Sequence, residues 1–270
     1  MDRKLILMRG GGDLGSAVAN KLYRCGFRVV ISEVENPLVV RRTVSYAQAV
    51  IEGESIVEGV KAVLVKTQDD IIPAISHGDI PVFIDPQLGI IERLKPYAVI
   101  DSTMSKKNRG MNIQMAPLTL ALGPGFKAKE DVDAVIETKR GHFLGRIIYN
   151  GQAIANTGIP ENVNGYGKER VLRAPCQGTV MHKREIGDFI NKGCVICSVN
   201  NEPVKAPFDG MLRGLIMQGA SVKKGLKIGD VDPRCKKEYC YSFSDKARAV
   251  AGGVLEAVLH HLHHATIPNQ

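Results

Sequence analysis

The sequence predicts an α/β protein: a doubly wound, mostly parallel sheet, then a smaller all-β domain and a C-terminal helix. Three observations support this fold class. Short apolar runs alternate with helical patterns from residue 5 to residue 122. A sequence unit repeats itself after 32 residues, beginning at Arg173 and again at Lys205. Near the end of the chain, apolar residues recur at helical spacing.

The first thirty residues predict one βαβ unit, made of a strand, a glycine-rich turn, a helix and a second strand. An apolar run at residues 5–8 stops at Gly10, and a helical apolar face begins at Leu14. Gly26 is placed to end that helix, because the position after a helix favours the left-handed conformation. A second apolar run follows at residues 27–32 and ends in Glu33.

The glycines of this unit predict a phosphate-binding loop of the Rossmann-like type. Gly10, Gly12 and Gly15 fit the pattern G-x-G-x-x-G, which allows a tight turn, the approach of a phosphate and close packing of the helix. Glu33 stands where such domains carry an acid that binds a ribose. The alternative is a plain turn in a doubly wound sheet. The predicted ligand-binding residues of the loop are Gly10, Gly11, Gly12, Asp13, Leu14 and Gly15.

Polar residues also follow two later strands of the predicted sheet. Because ligands bind at the carboxyl ends of strands in open α/β sheets, we expect these residues to line the same crevice as the loop. Asp85 precedes a proline, so the alternative is that it caps a turn. The predicted site residues at these strand ends are Asp85, Asp101, Ser102 and Thr103.

Two arginines bear on which dinucleotide the loop would bind. Glu33 favours NAD through its ribose hydroxyls, whereas Arg41 or Arg42 is suited to the 2′-phosphate of NADP. The pattern identifies no catalytic residue and no metal site. The predicted first domain covers residues 1–165.

An internal repeat defines the second predicted domain, residues 170–234. Its two units begin with the related hexapeptides Arg173-Ala174-Pro175-Cys176-Gln177-Gly178 and Lys205-Ala206-Pro207-Phe208-Asp209-Gly210. Neither unit can bury its apolar face alone, so the two must pack together. The pattern is similar to the barrel-sandwich fold of lipoyl and biotinyl domains. The hairpin at residues 200–203 lacks the Met-Lys-Met of those carriers, which favours a scaffold or docking role.

The remaining residues, 235–270, predict a helix with a capping-box start at Ser242 and Asp245. Its apolar stripe must cover either the first domain's sheet or a second subunit of a homo-oligomer. Gly252 and Gly253 lie inside the helix, where glycine is unfavourable, and this indicates close backbone packing.

Charge and composition limit the classes of partner that we expect. The formal net charge is +8, but no aromatic side chains interleave with the basic residues, so we expect no nucleic-acid binding. Only four apolar residues separate the N-terminal Met1-Asp2-Arg3-Lys4 from Arg9, too few for a signal peptide or a membrane span. We therefore expect a cytoplasmic protein that does not bind membranes, with its six cysteines reduced.

Taken in order, the motifs resemble those of a known family. They are Gly-Gly-Gly-Asp-Leu-Gly-Ser from Gly10, Arg-Arg-Thr-Val-Ser-Tyr-Ala from Arg41, Asp-Ser-Thr-Met from Asp101, Leu-Gly-Pro-Gly-Phe from Leu122 and Gly-Asp-Val-Asp-Pro-Arg from Gly229. The chain resembles the YqeB-type accessory proteins of selenium-dependent molybdenum hydroxylase systems. Its Rossmann-like part is distantly similar to the XdhC/CoxF maturation factors, which handle the molybdenum cofactor before its insertion.

This resemblance implies a maturation factor that binds the molybdenum cofactor, as molybdopterin or its nucleotide form, and serves an apo-molybdenum hydroxylase. Both forms of that cofactor carry phosphate and fit the predicted loop. One alternative is an NAD(P)-dependent oxidoreductase of the same pathway. Another is an interaction module that binds a nucleotide as a structural or regulatory ligand. Whether the protein is an enzyme stays open at this point.

Overall fold

The computed structural model describes residues 3–155 and 162–265, which form two compact units. The first, here called the α/β unit, contains residues 3–37, 46–155 and 243–265. The second, the β unit, contains residues 38–45 and 162–242. The α/β unit excludes residues 38–45, which the predicted first domain, residues 1–165, includes. Residues 235–242 lie in the β unit, whereas the sequence prediction groups them with the C-terminal helix.

The α/β unit contains strands β1–β11 and helices α1–α5. The strands are β1 (Leu5–Arg9), β2 (Arg28–Glu33), β3 (Glu54–Val57), β4 (Val60–Val65), β5 (Ile80–Ile84), β6 (Ala98–Asp101), β7 (Leu118–Leu122), β8 (Lys127–Ala128), β9 (Ala134–Ile136), β10 (Ile147–Ile148) and β11 (Gly151–Gln152). The helices are α1 (Asp13–Arg24), α2 (Ala49–Glu52), α3 (Ile71–His77), α4 (Ile91–Leu94) and α5 (Asp245–Ala265). Single 3₁₀ turns add Tyr46–Gln48 and Gln68–Asp70.

Within the described residues, nine of these strands form one mixed sheet in the order β10-β9-β7-β6-β1-β2-β5-β4-β3. The seven inner strands are parallel, and the two edge strands, β10 and β3, are antiparallel to their neighbours. β1, β6 and β7 are almost completely buried, which explains why their sequences are continuous apolar runs rather than alternating ones. The predicted mixture of α and β structure around a large, mostly parallel sheet is confirmed.

Helix α1 begins and ends where the sequence predicts. Gly26 has φ +89°, and its N–H donates to the carbonyl of Tyr23 at 2.9 Å. The N–H of Phe27 donates to the carbonyl of Leu22 at 3.1 Å, so the last carbonyls of the helix are satisfied by the turn that leads into β2.

Helix α5 packs against α1 and against β7, β9 and β10, so its apolar stripe covers part of the α/β unit. The N–H of Ala247 donates to Ser244 Oγ at 3.2 Å, which makes Ser244 the cap. The predicted cap, Ser242, instead donates its hydroxyl to the carbonyl of Glu238. The sequence has a serine at both positions, and only the backbone path decides which one precedes the first helical turn.

The β unit contains strands that all pair antiparallel. They are β12 (Val171–Arg173), β13 (Gly178–His182), β14 (Phe189–Ile190), β15 (Val195–Val199), β16 (Glu202–Lys205), β17 (Gly210–Leu215), β18 (Ser221–Val222) and β19 (Lys227–Asp232). Among the described residues they form two four-stranded sheets, ordered β12-β19-β17-β14 and β16-β15-β13-β18. 3₁₀ turns cover Arg42–Val44, Lys168–Arg170 and Lys237–Cys240.

The two sheets explain the internal repeat. A shift of 32 residues converts β12, β13, β14 and β15 into β16, β17, β18 and β19, and it converts the order of one sheet into the order of the other. Each sheet takes two strands from each repeat, so neither repeat can form a sheet without the other. Repeat-related glycines share a conformation: Gly193 and Gly225 both have φ +83°.

Two further properties concern the whole described chain. All six cysteines are free. Within residues 3–155 and 162–265, none of the helices combines the length and the apolar character needed to cross a lipid bilayer.

Candidate phosphate-binding site

The glycine-rich loop lies at the carboxyl edge of the parallel sheet, between β1 and α1. Gly10 has φ +91°, and its N–H donates to the carbonyl of Ser32 at 2.8 Å. A Cβ at Gly10 would lie 3.2 Å from Thr103 Cγ2. Glycine is therefore needed here both for the turn and for the close approach of the segment that follows β6.

Gly15 lets α1 pack closely on the strand ends, the role that the motif gives to its third glycine. A Cβ at Gly15 would lie 2.5 Å from both the carbonyl oxygen of Gly10 and Ser102 Oγ. The Ser102 hydroxyl lies 2.6 Å from the Gly10 carbonyl oxygen, so it ties β6 to the loop. Ser102 thus stabilises the conformation of the loop by a hydrogen bond to its first residue.

Glu33 is placed against the loop. Its Oε1 accepts a 2.6 Å hydrogen bond from the N–H of Gly11, and its Oε2 accepts one of 2.8 Å from the N–H of Val34. Burial of the side chain, which is 8% exposed, raises the pKa of Glu33, while the two backbone hydrogen bonds act in the opposite direction. The Gly11 amide is consequently used by a carboxylate of the protein.

The first turn of α1 lacks a side-chain cap. Gly12 occupies the N-cap position with φ −70° and ψ −175° and, having no side chain, makes no side-chain cap hydrogen bond. The first N–H groups of a helix have no partner inside the helix and lie at the positive end of its dipole. Gly12, Asp13 and Leu14 are partly exposed, whereas Gly10 and Gly11 are buried. A ligand anion would therefore meet the loop at Gly12–Leu14, with Asp13 supplying a negative charge in the same turn.

Asp101 and Thr103 form a small polar cluster beside the loop. Asp101 is 1% exposed, and its Oδ1 accepts hydrogen bonds from the N–H and the hydroxyl of Thr103, at 3.0 and 2.6 Å. Its Oδ2 lies 3.6 Å from Arg9 Nη1 and has no hydrogen-bond partner among the described residues.

Sequence reasoning did not select Arg9 as a site residue. Its guanidinium spans the strand ends, donating to the carbonyls of Arg109 at 2.9 Å and Pro86 at 2.8 Å while it faces Asp101. One feature of the sequence could have identified it: Arg9 is a charged residue at the end of an apolar run, immediately before the glycines.

Asp85 caps a turn, as the structural alternative supposed. Its Oδ1 accepts from the N–H of Gly89 at 3.1 Å, and its Oδ2 accepts from the N–H of Ile90 at 2.9 Å. Both carboxylate oxygens thus support the chain that enters α4. In addition, its backbone N–H donates to the Glu33 carbonyl, so Asp85 joins the ends of β2 and β5.

Arg41 and Arg42 lie in the β unit and bind its backbone. Arg41 Nη2 donates to the carbonyls of Tyr239 and Ser242, at 2.8 and 3.0 Å. Arg42 Nε donates to the carbonyl of Leu215 at 2.8 Å. The structure therefore uses both guanidinium groups in the packing of that unit.

These features define a class of protein: a two-unit α/β protein with a glycine-rich loop at the carboxyl edge of a mostly parallel sheet. The chain is 47% identical over 260 residues to the uncharacterized protein YqeB of Escherichia coli (strain K12). The matched region covers 96% of this chain and 48% of YqeB, so the chain spans about half the length of that curated relative. No protein-family model matches the chain.

Solved structures show weaker similarity. An aspartoacylase family protein from Mesorhizobium loti has a TM-score of 0.25 and 8% identity, covering 86% of this chain and 85% of that one. The ectoine utilization protein EutE (DoeB) from Ruegeria pomeroyi, in its apo form, has a TM-score of 0.26 and 10% identity, covering 85% and 86%. TM-scores this low do not indicate a shared fold.

Proposed function

We propose that this chain is a YqeB-type accessory protein of a selenium-dependent molybdenum hydroxylase system, and that it binds a phosphate-bearing cofactor at the glycine-rich loop. One observation carries the ligand proposal: the first turn of α1 is partly exposed and begins at a glycine that makes no side-chain cap hydrogen bond, directly after Gly10 and Gly11, where a side chain would be strained or would crowd its neighbours. The accessory role rests on the motifs of the sequence, and the similarity to YqeB supports the type of protein.

The proposal includes the finer description of the fold. The α/β unit is then a Rossmann-like domain, which the βαβ unit at its N-terminus and the position of Glu33 support. The β unit is a barrel-sandwich domain of the lipoyl and biotinyl type, supported by two sheets that exchange strands between repeats. It serves as a docking scaffold, because its repeat-joining turn is Asn200-Asn201 and carries no lysine.

The ligand of this proposal is the molybdenum cofactor, as molybdopterin or its nucleotide form, and the partner is an apo-molybdenum hydroxylase. The protein holds the phosphate of the cofactor at Gly12–Leu14 before delivery. It works in the cytoplasm, where the six free cysteines would stay reduced.

One observation favours a second candidate, an NAD(P)-dependent oxidoreductase of the same pathway. Glu33 ends β2 with its carboxylate on the loop, which is where dinucleotide-binding domains hold the ribose hydroxyls. Steady consumption of NADH or NADPH with a pathway intermediate would select this candidate.

Isothermal titration calorimetry tests the ligand site. Wild-type protein and a Gly12→Val variant are titrated with NAD, NADP and molybdenum cofactor. Gly12 has an extended conformation that any residue can adopt, so valine adds a branched side chain without backbone strain. The matched control is Gly252→Val, since a Cβ there meets no atom within 4 Å.

We expect wild type and Gly252→Val to bind one ligand equally well and Gly12→Val to lose at least tenfold in affinity. That ligand then decides between cofactor carrier and oxidoreductase. Equal affinities of all three proteins would show that the loop is a structural turn. Absence of binding to wild type would have the same meaning.

A further inference from the structure

A second concave surface lies at the opposite edge of the same sheet, where the parallel strands begin. It is a groove of about 770 Å³ beside the starts of β1, β2, β6 and β7. β1 is five residues long, so this groove lies roughly 16 Å from the glycine-rich loop. We call it the basic groove after its cationic lining residues, Arg3, Lys4, Arg28, Arg93 and Lys95.

The basic groove has an excess of positive charge. Within the described part of the chain, Glu92 is the one acid among its lining residues. Arg93 pairs with the exposed Asp69, which lies outside the lining. Arg28 Nε donates to the carbonyl of Arg3 at 2.7 Å, and this bond holds its guanidinium at the groove. Convergent cations of this kind lower the cost of bringing a dianion to the surface.

Lys95 is held in an unusual conformation. It follows the last residue of α4 with φ +42°, in the left-handed region that side chains other than those of asparagine and aspartate rarely adopt. Glycine is the usual residue at such a position. Lys95 is also one of the residues that line the groove.

The groove also has an ordered aromatic and apolar wall. Lys4 Nζ lies 5.3 Å from the centre of the Tyr97 ring, and Tyr97 Oη lies 2.5 Å from His261 Nδ1, which anchors the ring to α5. Leu94 and Met115 extend this wall. The lining of the groove therefore offers aromatic and apolar contacts as well as cations.

We propose that the basic groove binds a small phosphate-bearing molecule with a ring or apolar body, at a site separate from the glycine-rich loop. Its volume falls in the range of roughly 300–1,000 Å³ typical of small-molecule sites. Guanidinium and ammonium groups are the side chains that recognise phosphate. The proposal does not depend on which ligand the loop binds.

Calorimetric titration with adenosine 5′-monophosphate and with pyrophosphate tests this site on the 270-residue chain. Lys95→Asn removes the cation but keeps a residue that accepts a left-handed backbone, and Glu92→Gln removes the opposing acid. Lys223→Asn, in the β unit, is the charge-matched control for Lys95→Asn. Circular dichroism confirms that each variant is folded.

We expect saturable binding of adenosine 5′-monophosphate, weakened about tenfold by Lys95→Asn, tightened by Glu92→Gln and unchanged by Lys223→Asn. Equal weakening by both lysine variants would reveal non-specific attraction to a basic protein and overturn the proposal. So would the absence of saturable binding to wild type.

Two further titrations locate the bound nucleotide and identify the kind of anion that the groove prefers. In Gly12→Val, binding at the basic groove should be unchanged. If that variant loses adenosine 5′-monophosphate while Lys95→Asn retains it, the anion belongs to the loop and the groove proposal fails. If a polyglutamate peptide displaces the nucleotide at lower concentration than pyrophosphate does, the groove is a docking surface for an acidic protein segment, which also overturns the proposal.

Discussion

Adjacent glycines in α5 provide a sensitive test of how this helix packs. A Cβ at Gly253 would lie 2.0 Å from the carbonyl oxygen of Gly145, whereas a Cβ at Gly252 would meet no atom within 4 Å. Carbon–oxygen contacts normally measure about 3.3 Å, so Gly253→Ala must separate the helix from the Gly145 turn by about 1 Å. The turn resists this movement, because the Gly145 N–H donates to the Glu137 carbonyl at 2.9 Å.

The two substitutions are expected to change stability in opposite directions. Each exchanges glycine for alanine inside a helix, which stabilises by about 1 kcal/mol. For Gly252→Ala this is the whole effect, and the melting temperature rises by about 2–4 °C. For Gly253→Ala the same gain is opposed by an overpacking cost of roughly 1–3 kcal/mol. We expect a cost near the upper end of that range, because the atom that the new Cβ meets is a backbone oxygen, which cannot rotate away as a side chain can. The melting temperature should therefore fall.

Differential scanning calorimetry of both variants measures the difference, which we expect to be about 2–3 kcal/mol at the melting temperature. The neighbouring glycine controls for helix propensity, since both substitutions lie in the same helix. If Gly253→Ala stabilised the protein as much as Gly252→Ala, the close contact between α5 and the Gly145 turn would be wrong.

Other predictions concern charge and the loop, and urea unfolding at pH 2–8 measures them all. Burial acts to raise the pKa of Asp232, but hydrogen bonds from Arg234 and the nearby Arg213 outweigh it and hold that pKa at about 2. The Asp232 charge therefore stabilises the fold by about 2 kcal/mol above pH 4, and this stabilisation is lost as the pH falls towards 2. The Asp232→Asn variant should lack this stabilisation at every pH. Gly15→Ala should destabilise by about 2–3 kcal/mol, because the Gly10 backbone oxygen cannot move away from the new Cβ. Burial raises the pKa of Glu33, so the folded state favours the protonated carboxyl group. The free energy of unfolding should therefore decrease as the pH rises above about 4.3, and the Glu33→Gln variant should not show this decrease.

Local patterns predicted the parts of the fold that depend on local physics. The apolar runs of the inner strands and the Gly26 helix end each reflect a constraint within a few residues of its signal. The 32-residue repeat pairs distant strands, but its glycines, prolines and apolar residues recur in register and so show it directly in the sequence. Strand-like patterns after Asp131 and after Gly141 also favour a hairpin, and β9 and β10 pair antiparallel there. β3 was missed, because Glu54–Val57 is a short edge strand whose exposed side chains give no apolar run.

Long-range contacts explain what local patterns could not show. Residues 38–45 look like a loop of the first domain, yet they belong to the β unit. Arg41, Arg42 and Thr43 all bind backbone carbonyls more than 170 positions away in sequence. Every residue has a backbone carbonyl, so the sequence does not show which residues act as acceptors. The sequence therefore showed two arginines near a glycine-rich loop but not what they bind.

The position of Glu33 limits how the loop can hold an anion. A carboxylate already accepts the Gly11 N–H at 2.6 Å, and the Gly11 carbonyl accepts from Ser16 Oγ at 2.8 Å and from the Ala47 N–H at 2.8 Å. The buried half of the loop is thus satisfied by the protein itself. Only the half from Gly12 onward combines exposure with a helix N-terminus that has no side-chain cap. A phosphate bound there would lie close to the Glu33 carboxylate, so the ligand must separate the two charges. A ribose or another hydroxyl-bearing group between phosphate and carboxylate does this, because its hydroxyls donate to Glu33 while the phosphate accepts from the helix.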